Sequence, residues 1–403
     1  MLWPGAHIER LKVFGSVHYP RCTSDVVSEL EMEDESGTQE RLDALLRDFE
    51  ALRHHLVGYP CNQSFDYSAL LPFLSYCPNN VGDPFRDSNF QTNTHEMERE
   101  VIGIFADLMH LPRDQAWGYV TSGGTEGNMY GLYIGREMFP DGVVYFSQDT
   151  HYSVVKILRV LKTRNIMIKS LPNGEIDYDD LYETIRINRD VPVIFMANIG
   201  TTMKGAIDDV GRVRQILDNL AVTKFYIHAD AALSGMILPF VEEPQPYGFD
   251  AGFDSVAISG HKMIGAPLPC GVALTRREYV SRIARSIEYV GVLDTTLAGS
   301  RNALAPLMMW YALRQHGLDG FRKIVAECLA VADYAVARFN GSGLPAWRHR
   351  NSVTVVFPRP SDDVVRKWQL APFEDIAHLI AMPHVTRATI DAVIDDCLEC
   401  EAE

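Results

Sequence analysis

Four short stretches carry side chains that could hold an anionic ring and join it to an amine. Thr121-Ser122-Gly123-Gly124-Thr125-Glu126-Gly127-Asn128 is a run of mostly small residues leading into a helical pattern. Small residues let backbone N–H groups approach an anion, and a helix start adds a favourable dipole. The run is neither GxGxxG after a strand nor GxxxxGK, so it fits neither a dinucleotide fingerprint nor a P-loop. An ordinary tight turn would share its composition. Thr150-His151-Tyr152-Ser153 offers an aromatic base. In Phe225-Tyr226-Ile227-His228-Ala229-Asp230-Ala231-Ala232, Asp230 closes an apolar run. An acid at the carboxyl end of a parallel strand stands where open α/β sheets bind ligands, although an Asp capping the next turn looks the same. In Ser255-Val256-Ala257-Ile258-Ser259-Gly260-His261-Lys262, Lys262 follows a β-rich run and precedes Met263 and Ile264. A lysine placed so becomes nucleophilic when desolvation lowers its pKa; on a surface it is only a charge.

The four together mean more than each alone. Pyridoxal 5'-phosphate needs a phosphate cradle, a ring-stacking group, an acid facing the pyridine nitrogen and a Schiff-base lysine. Asp230 and Lys262 are 32 residues apart, which leaves room for a crossover between two strands.

The elements that must position these groups alternate along the chain. β-rich runs occur at Val143–Ser147, Ile166–Ser170, Val191–Asn198, Phe225–His228, Ser255–Ser259 and Gly271–Thr275. Helical patterns lie between them at Thr125–Met138, Ser153–Leu161 and Asp209–Leu220, with another at Glu278–Tyr289. Strand and helix in alternation predict an α/β domain, and near-continuous apolar strands predict a mostly parallel sheet covered on both faces. Beyond about residue 316 the pattern becomes a long helix over 320–340, a run at Val353–Phe357, a helix, a run at His378–Met382 and a last helix. That is a small α+β domain. Towards the other end, Leu42, Leu45, Leu46, Phe49, Leu52 and Leu56 repeat with a helical period that Gly58-Tyr59-Pro60 breaks.

Composition bounds the reading. With 47% hydrophobic and 22% charged residues, the 403-residue chain has a folded globular profile. A formal charge of −16 disfavours nucleic acid as a partner. The seven cysteines are odd in number and scattered, unlike a disulfide framework, and Cys397-x-x-Cys400 has no second pair at metal spacing. No metal is expected. No apolar run reaches the roughly 18 residues of a membrane span and no signal peptide is evident, so a cytoplasmic protein is expected.

From about Gly58 onward the sequence resembles the group II pyridoxal-phosphate-dependent amino-acid decarboxylases, of the aspartate aminotransferase fold type. The resemblance is carried by NNVGDPF (79–85), WGYVTSGGTEGN (117–128), FPDGVVYFSQDTHYSV (139–154), PNGEIDYDDL (172–181), NIGTTMKGAIDD (198–209), HADAALSGMILPFV (228–241), SGHKMIGAPLPCG (259–271) and GSRN (299–302). It implies an N-terminal extension and dimer-wrapping segment (1–95), a cofactor-binding large domain (96–316) and a small domain (317–403). By the resemblance, Lys262 forms the cofactor linkage, Asp230 faces the pyridine nitrogen and His151 stacks on the ring. Gly124, Thr125, Ser259 and His261 hold the phosphate, Thr202 lies near the hydroxyl edge and Ala232 lies flat under the ring. Tyr289, beside Val290-Gly291-Val292, matches a mobile-loop tyrosine that protonates Cα. Within the family the nearest resemblance is to bacterial enzymes acting on histidine, with serine or a branched-chain residue as alternatives. Asn79, Asn80 and Asp83, from the same or a neighbouring subunit, are the candidate partners of the substrate side chain, although the same NNVGD run reads as an Asx turn. A homodimer is implied. A cofactor-binding protein without catalysis is the reading from a different class.

Overall fold

A computed structural model describes residues 35–287 and 292–401. Tyr289 lies outside the described residues. The chain divides into two compact units, 1–52 and 53–403. Helix α1 (Glu35–Arg53) holds Leu42, Leu45, Leu46, Phe49 and Leu52 of the anticipated stripe, and Leu56 falls beyond its end.

In the larger unit, the elements run α2 (His95–Leu108), β1 (Ala116–Thr121), α3 (Gly124–Met138), β2 (Val143–Ser147), α4 (Ser153–Leu161), β3 (Arg164–Ile168), α5 (Tyr178–Ile187), β4 (Val193–Asn198), α6 (Val210–Asn219), β5 (Phe225–Asp230), β6 (Ser255–Ser259) and β7 (Gly271–Arg276). The seven strands form one sheet in the order β1-β7-β6-β5-β4-β2-β3. β7 is antiparallel to both neighbours and the other pairings are parallel. Alternate residues feed opposite faces. On β4, Val193, Phe195 and Ala197 join one apolar cluster while Ile194 and Met196 join the other. Both faces are dry except along the edge strand β3, which is why the inner strands read as unbroken apolar runs.

Helix starts follow local chemistry. Asp177 caps α5 by accepting from the Asp179 and Asp180 amides, and Asp209 caps α6 by accepting from the Arg212 amide. Helix α3 differs: Gly123 precedes it at φ 146°, and no side chain caps it.

Past the sheet the outline holds with corrections. The helix expected over Glu278–Tyr289 is not formed. Only α7 (Arg277–Val280) is helical, and the chain then enters strand β8 (Arg285–Ile287), paired with β9 (Val292–Asp294). Val280 and Ile283 are buried beside Trp117 and Tyr226, so the apolar spacing serves packing of a turn and not a helix. The long helix α8 begins earlier than expected and covers Leu304–Gly341, broken at Gly317 by a backbone of φ 58°. β10 (Thr354–Pro358), α9 (Asp362–Lys367), β11 (Ala371–Phe373), β12 (Ile376–Ile380) and α10 (Arg387–Glu401) complete a small antiparallel sheet with its helices. Among the described residues, no helix is long and apolar enough to cross a membrane.

A buried polar bracket ties distant segments together. Arg301 pairs with Glu98, and both are almost completely enclosed. The same carboxylate accepts from Asn80 Nδ2 at 2.7 Å and from the Val120 amide at 2.8 Å. A buried charge pair persists only when its remaining lone pairs are so used.

Candidate active site

Every parallel strand that carries a motif ends at one edge of the sheet. β1 delivers Ser122 to Thr125, β2 delivers His151, β4 delivers Asn198 and the Thr201-Thr202 turn, β5 delivers Asp230, and β6 delivers Ser259 to Lys262. Their side chains meet in a cavity of about 410 Å³. Gly124, Thr125, His151, Thr202, Asp230, Ala232, Ser259, His261 and Lys262 all line it. Gly58–Pro60 and the small-sheet residues Ser352, Thr354 and His378 close the remaining wall.

The cradle is built for backbone donors. Because α3 starts without a side-chain cap, its first amides have no capping acceptor, and their dipole faces the cavity. A Cβ at Gly124 would stand 3.0 Å from Ser259 Oγ and 3.7 Å from Ala232 Cβ, so a side chain there would fill the space. His261 is held through Nδ1, which lies 2.8 Å from the Cys270 carbonyl.

The reactive groups are tuned by burial. Burial pushes the Lys262 amine below its usual range, opposed by the Asp230 carboxylate and by Cys61. A lysine so poised is more often neutral and therefore nucleophilic. His151 is likewise lowered, chiefly by burial and against the pull of Asp230. Its Nδ1 lies 2.7 Å from Ser153 Oγ, which fixes the ring. The Asp230 carboxylate accepts from Asn128 Nδ2 at 2.7 Å and from the Ala232 amide at 3.1 Å.

Three expected substrate residues do not reach this cavity. Asn79 Nδ2 donates to Ser300 Oγ and its Oδ1 accepts from the Arg301 amide. Asn80 is fully buried between Thr94 and Glu98. Asp83 accepts from Trp117 Nε1, Thr295 Oγ1 and the Phe85 amide. Within the chain, Asn79 and Asn80 bond to the segments around Arg301 and Glu98, and Asp83 bonds to Trp117, Thr295 and Phe85.

Comparison with known proteins agrees with this geometry. The family described as "Pyridoxal-dependent decarboxylase conserved domain" matches residues 85–343. The chain belongs to this family. This decarboxylase is 47% identical over 366 residues to a histidine decarboxylase of Pseudomonas entomophila, covering 90% of this chain and 91% of that one. It is also 47% identical over 363 residues to a histidine decarboxylase of Morganella morganii, covering 89% and 96%. Among solved structures, L-methionine decarboxylase from Streptomyces sp. 590 superposes with a TM-score of 0.82 at 28% identity, covering 91% of this chain and 96% of that one. Its cofactor is pyridoxal 5'-phosphate, and the uncapped helix start, the glycine cradle and the buried lysine fit that group.

Local spacing assigns no role to several residues in and directly behind the cavity of this decarboxylase. Asn128 was quoted in a motif, yet its grip on Asp230 spans 102 positions. His228 is fully buried one pleat before Asp230. The alternation Tyr226, His228, Asp230 along one strand face was the available signal. His378, from β12, lies with its two ring nitrogens each 3.1 Å from a carbonyl, those of Met203 and Gly58. No local spacing announced it.

Proposed function

We propose that this decarboxylase removes the α-carboxylate of L-histidine and releases carbon dioxide and histamine. The observation that carries the reading is the 47% identity, over about nine-tenths of the chain, to relatives named histidine decarboxylase. The stretch 228–241 supports it. Bound pyridoxal phosphate supplies the sink for the electron pair left when carbon dioxide departs. The chain supplies the rest. Lys262 would hold the cofactor through its amine, Asp230 would pair with the ring nitrogen, and His151 and Ala232 would pack against the ring. Gly124, Thr125, Ser259 and His261 would hold the phosphate, and Thr202 would lie near the hydroxyl edge. No arginine is among the described residues lining the cavity, which argues against an aminotransferase that grips its substrate with one. Product analysis by mass spectrometry over the twenty amino acids tests the substrate. Histidine should give the highest kcat/KM, and a higher value for serine or a branched-chain residue would overturn the assignment.

We also propose a homodimer with 58–95 at the interface and 96–316 and 317–403 as large and small domains. Leu71, Phe73, Leu74 and Tyr76 form an exposed apolar run within 68–76, the kind of surface a second copy covers. Light scattering at assay concentration should give the mass of two chains. A fully active single chain would refute the dimer.

Tyr289 is proposed as the proton donor to Cα, on the strength of its match to the family's loop tyrosine. A tyrosine hydroxyl can donate once and be recharged from solvent when a lid opens. Tyr289→Phe should retain cofactor and substrate binding, slow amine release by about 10²-fold and divert part of the product to aldehyde. Wild-type amine formation without aldehyde would make Tyr289 structural and pass the role to His151.

A further inference from the structure

From Asn128 at the cavity wall, an unbroken file of side-chain hydrogen bonds runs back behind Asp230. Tyr226 OH donates to Ser255 Oγ at 2.7 Å. Ser255 Oγ lies 2.7 Å from His228 Nδ1, and His228 Nε2 lies 3.0 Å from Asn128 Oδ1. Asn128 Nδ2 donates to Asp230 Oδ2 at 2.7 Å. The protons in this file can be assigned by elimination. A carboxylate only accepts, so the Asn128 amide must turn its NH₂ to Asp230 and its oxygen to His228. His228 must then carry hydrogen on Nε2. Burial drives this imidazole's pKa down to about 4, so it is neutral and Nδ1 is a bare acceptor. Ser255 must donate to it, and Ser255 in turn accepts from Tyr226. Every hydrogen in the file points toward Asp230.

We infer that Asn128 and His228 are positioning residues for the reaction, holding the Asp230 carboxylate in one orientation toward the ring nitrogen. The inference rests on the assignment of Asp230 to that nitrogen. Aligned donors polarise one another in a dry interior, so the positive end of the whole file is presented to the carboxylate. Asp230 cannot rotate away either, because Oδ1 is held from the other side by the Ala232 amide.

The packing of α3 is shaped around this file. Gly127, Gly131 and Gly135 recur every fourth residue on the face turned to the sheet. A Cβ at Gly131 would lie 2.1 Å from His228 Nδ1, one at Gly135 would lie 2.9 Å from the Tyr226 ring, and one at Gly127 would lie 2.8 Å from Ala257 Cβ. Three glycines within one helix forfeit roughly 1 kcal/mol each of helix propensity. In return the helix sits low enough for Asn128 to span from His228 to Asp230.

The test compares holoenzymes of wild type, Asn128→Ala, His228→Leu, His228→Gln and Ser255→Ala. Cofactor affinity is read by titrating pyridoxal phosphate into each cofactor-free protein. In Asn128→Ala and His228→Leu, kcat should fall at least about tenfold with KM nearly unchanged, and the cofactor dissociation constant should rise at least about fivefold. His228→Gln keeps an N–H for Asn128 and should recover most of both. Ser255→Ala touches nothing in the cavity and should cost about threefold in kcat. Wild-type kcat and cofactor affinity in Asn128→Ala and His228→Leu would overturn the inference. So would equal losses in His228→Leu and His228→Gln, which would make the imidazole mere packing. Should His228→Leu not fold, wild-type behaviour of Ser255→Ala and Asn128→Ala overturns it in the same way. The underlying assignment fails separately, through wild-type turnover in Asp230→Asn.

Discussion

Lys262→Ala should lose decarboxylation by at least about 10⁴-fold, the scale on which a site loses its covalent residue. The visible absorption of the bound cofactor should vanish with it. Lys262 stands three residues past the end of β6, with Met263 and Ile264 fully buried behind it. Burial lowers its pKa from 10.5, and this has a consequence for the cofactor-free protein. Between the lowered folded value and the unfolded value, the unfolded chain holds the extra proton. Stability must therefore rise with pH through that window, and the cost of burying the charged amine is fully felt below it. Alanine has no amine to bury, so this slope should be missing from the variant. Urea midpoints of the cofactor-free proteins between neutral pH and pH 10 would show it. An unaltered visible spectrum, or parallel pH profiles for the two proteins, would remove Lys262 from its role.

The site was legible where chemistry coincides with a strand end. In a sheet dry on both faces, a strand is a run of apolar residues, and the first polar residue after it marks the edge where ligands bind. Asp230 and Lys262 stand out for that reason, and both line the cavity. β1 was not read as a strand: its sequence Ala-Trp-Gly-Tyr-Val-Thr mixes glycine with large aromatics, and all six residues are buried by partners far along the chain. Asn79, Asn80 and Asp83 illustrate the opposite failure. Their residue types suit a polar ligand, but Asn79 bonds to Ser300 and Arg301 and Asp83 to Thr295, more than 200 positions away, while the Asn80 side chain is taken up by Thr94 and Glu98. Local spacing cannot distinguish a donor saved for substrate from one spent on such a bracket. The segment Glu278–Tyr289 failed because apolar residues at helical spacing can also line a turn packed on a sheet, as Val280 and Ile283 do.

Asp230→Asn should keep its cofactor and its fold yet lose about 10²–10³-fold in kcat, as when one preorganised electrostatic partner is removed from a reacting centre. The change is nearly isosteric, so KM should move little. Two effects add. A neutral amide cannot hold a proton on the ring nitrogen, and the electron sink then develops charge without compensation. The second effect is geometric. The native carboxylate accepts on both oxygens, from Asn128 Nδ2 and from the Ala232 amide. An amide offers one acceptor and one NH₂. The backbone amide at Ala232 cannot reverse, so the new oxygen must face it, and the new NH₂ then meets the NH₂ of Asn128. Asn128 can relieve that clash only by flipping, which turns its own NH₂ onto His228 Nε2–H. His228 must then change tautomer and Ser255 must reverse its hydroxyl. The whole file inverts, and its dipoles point away from the ring. Adding Asn128→Ala to Asp230→Asn breaks this sequence of reversals, so the double variant should lose less than the product of the two single losses. Near-normal turnover in Asp230→Asn would remove the carboxylate from the reaction. Strictly multiplicative losses would show that Asn128 and Asp230 act independently.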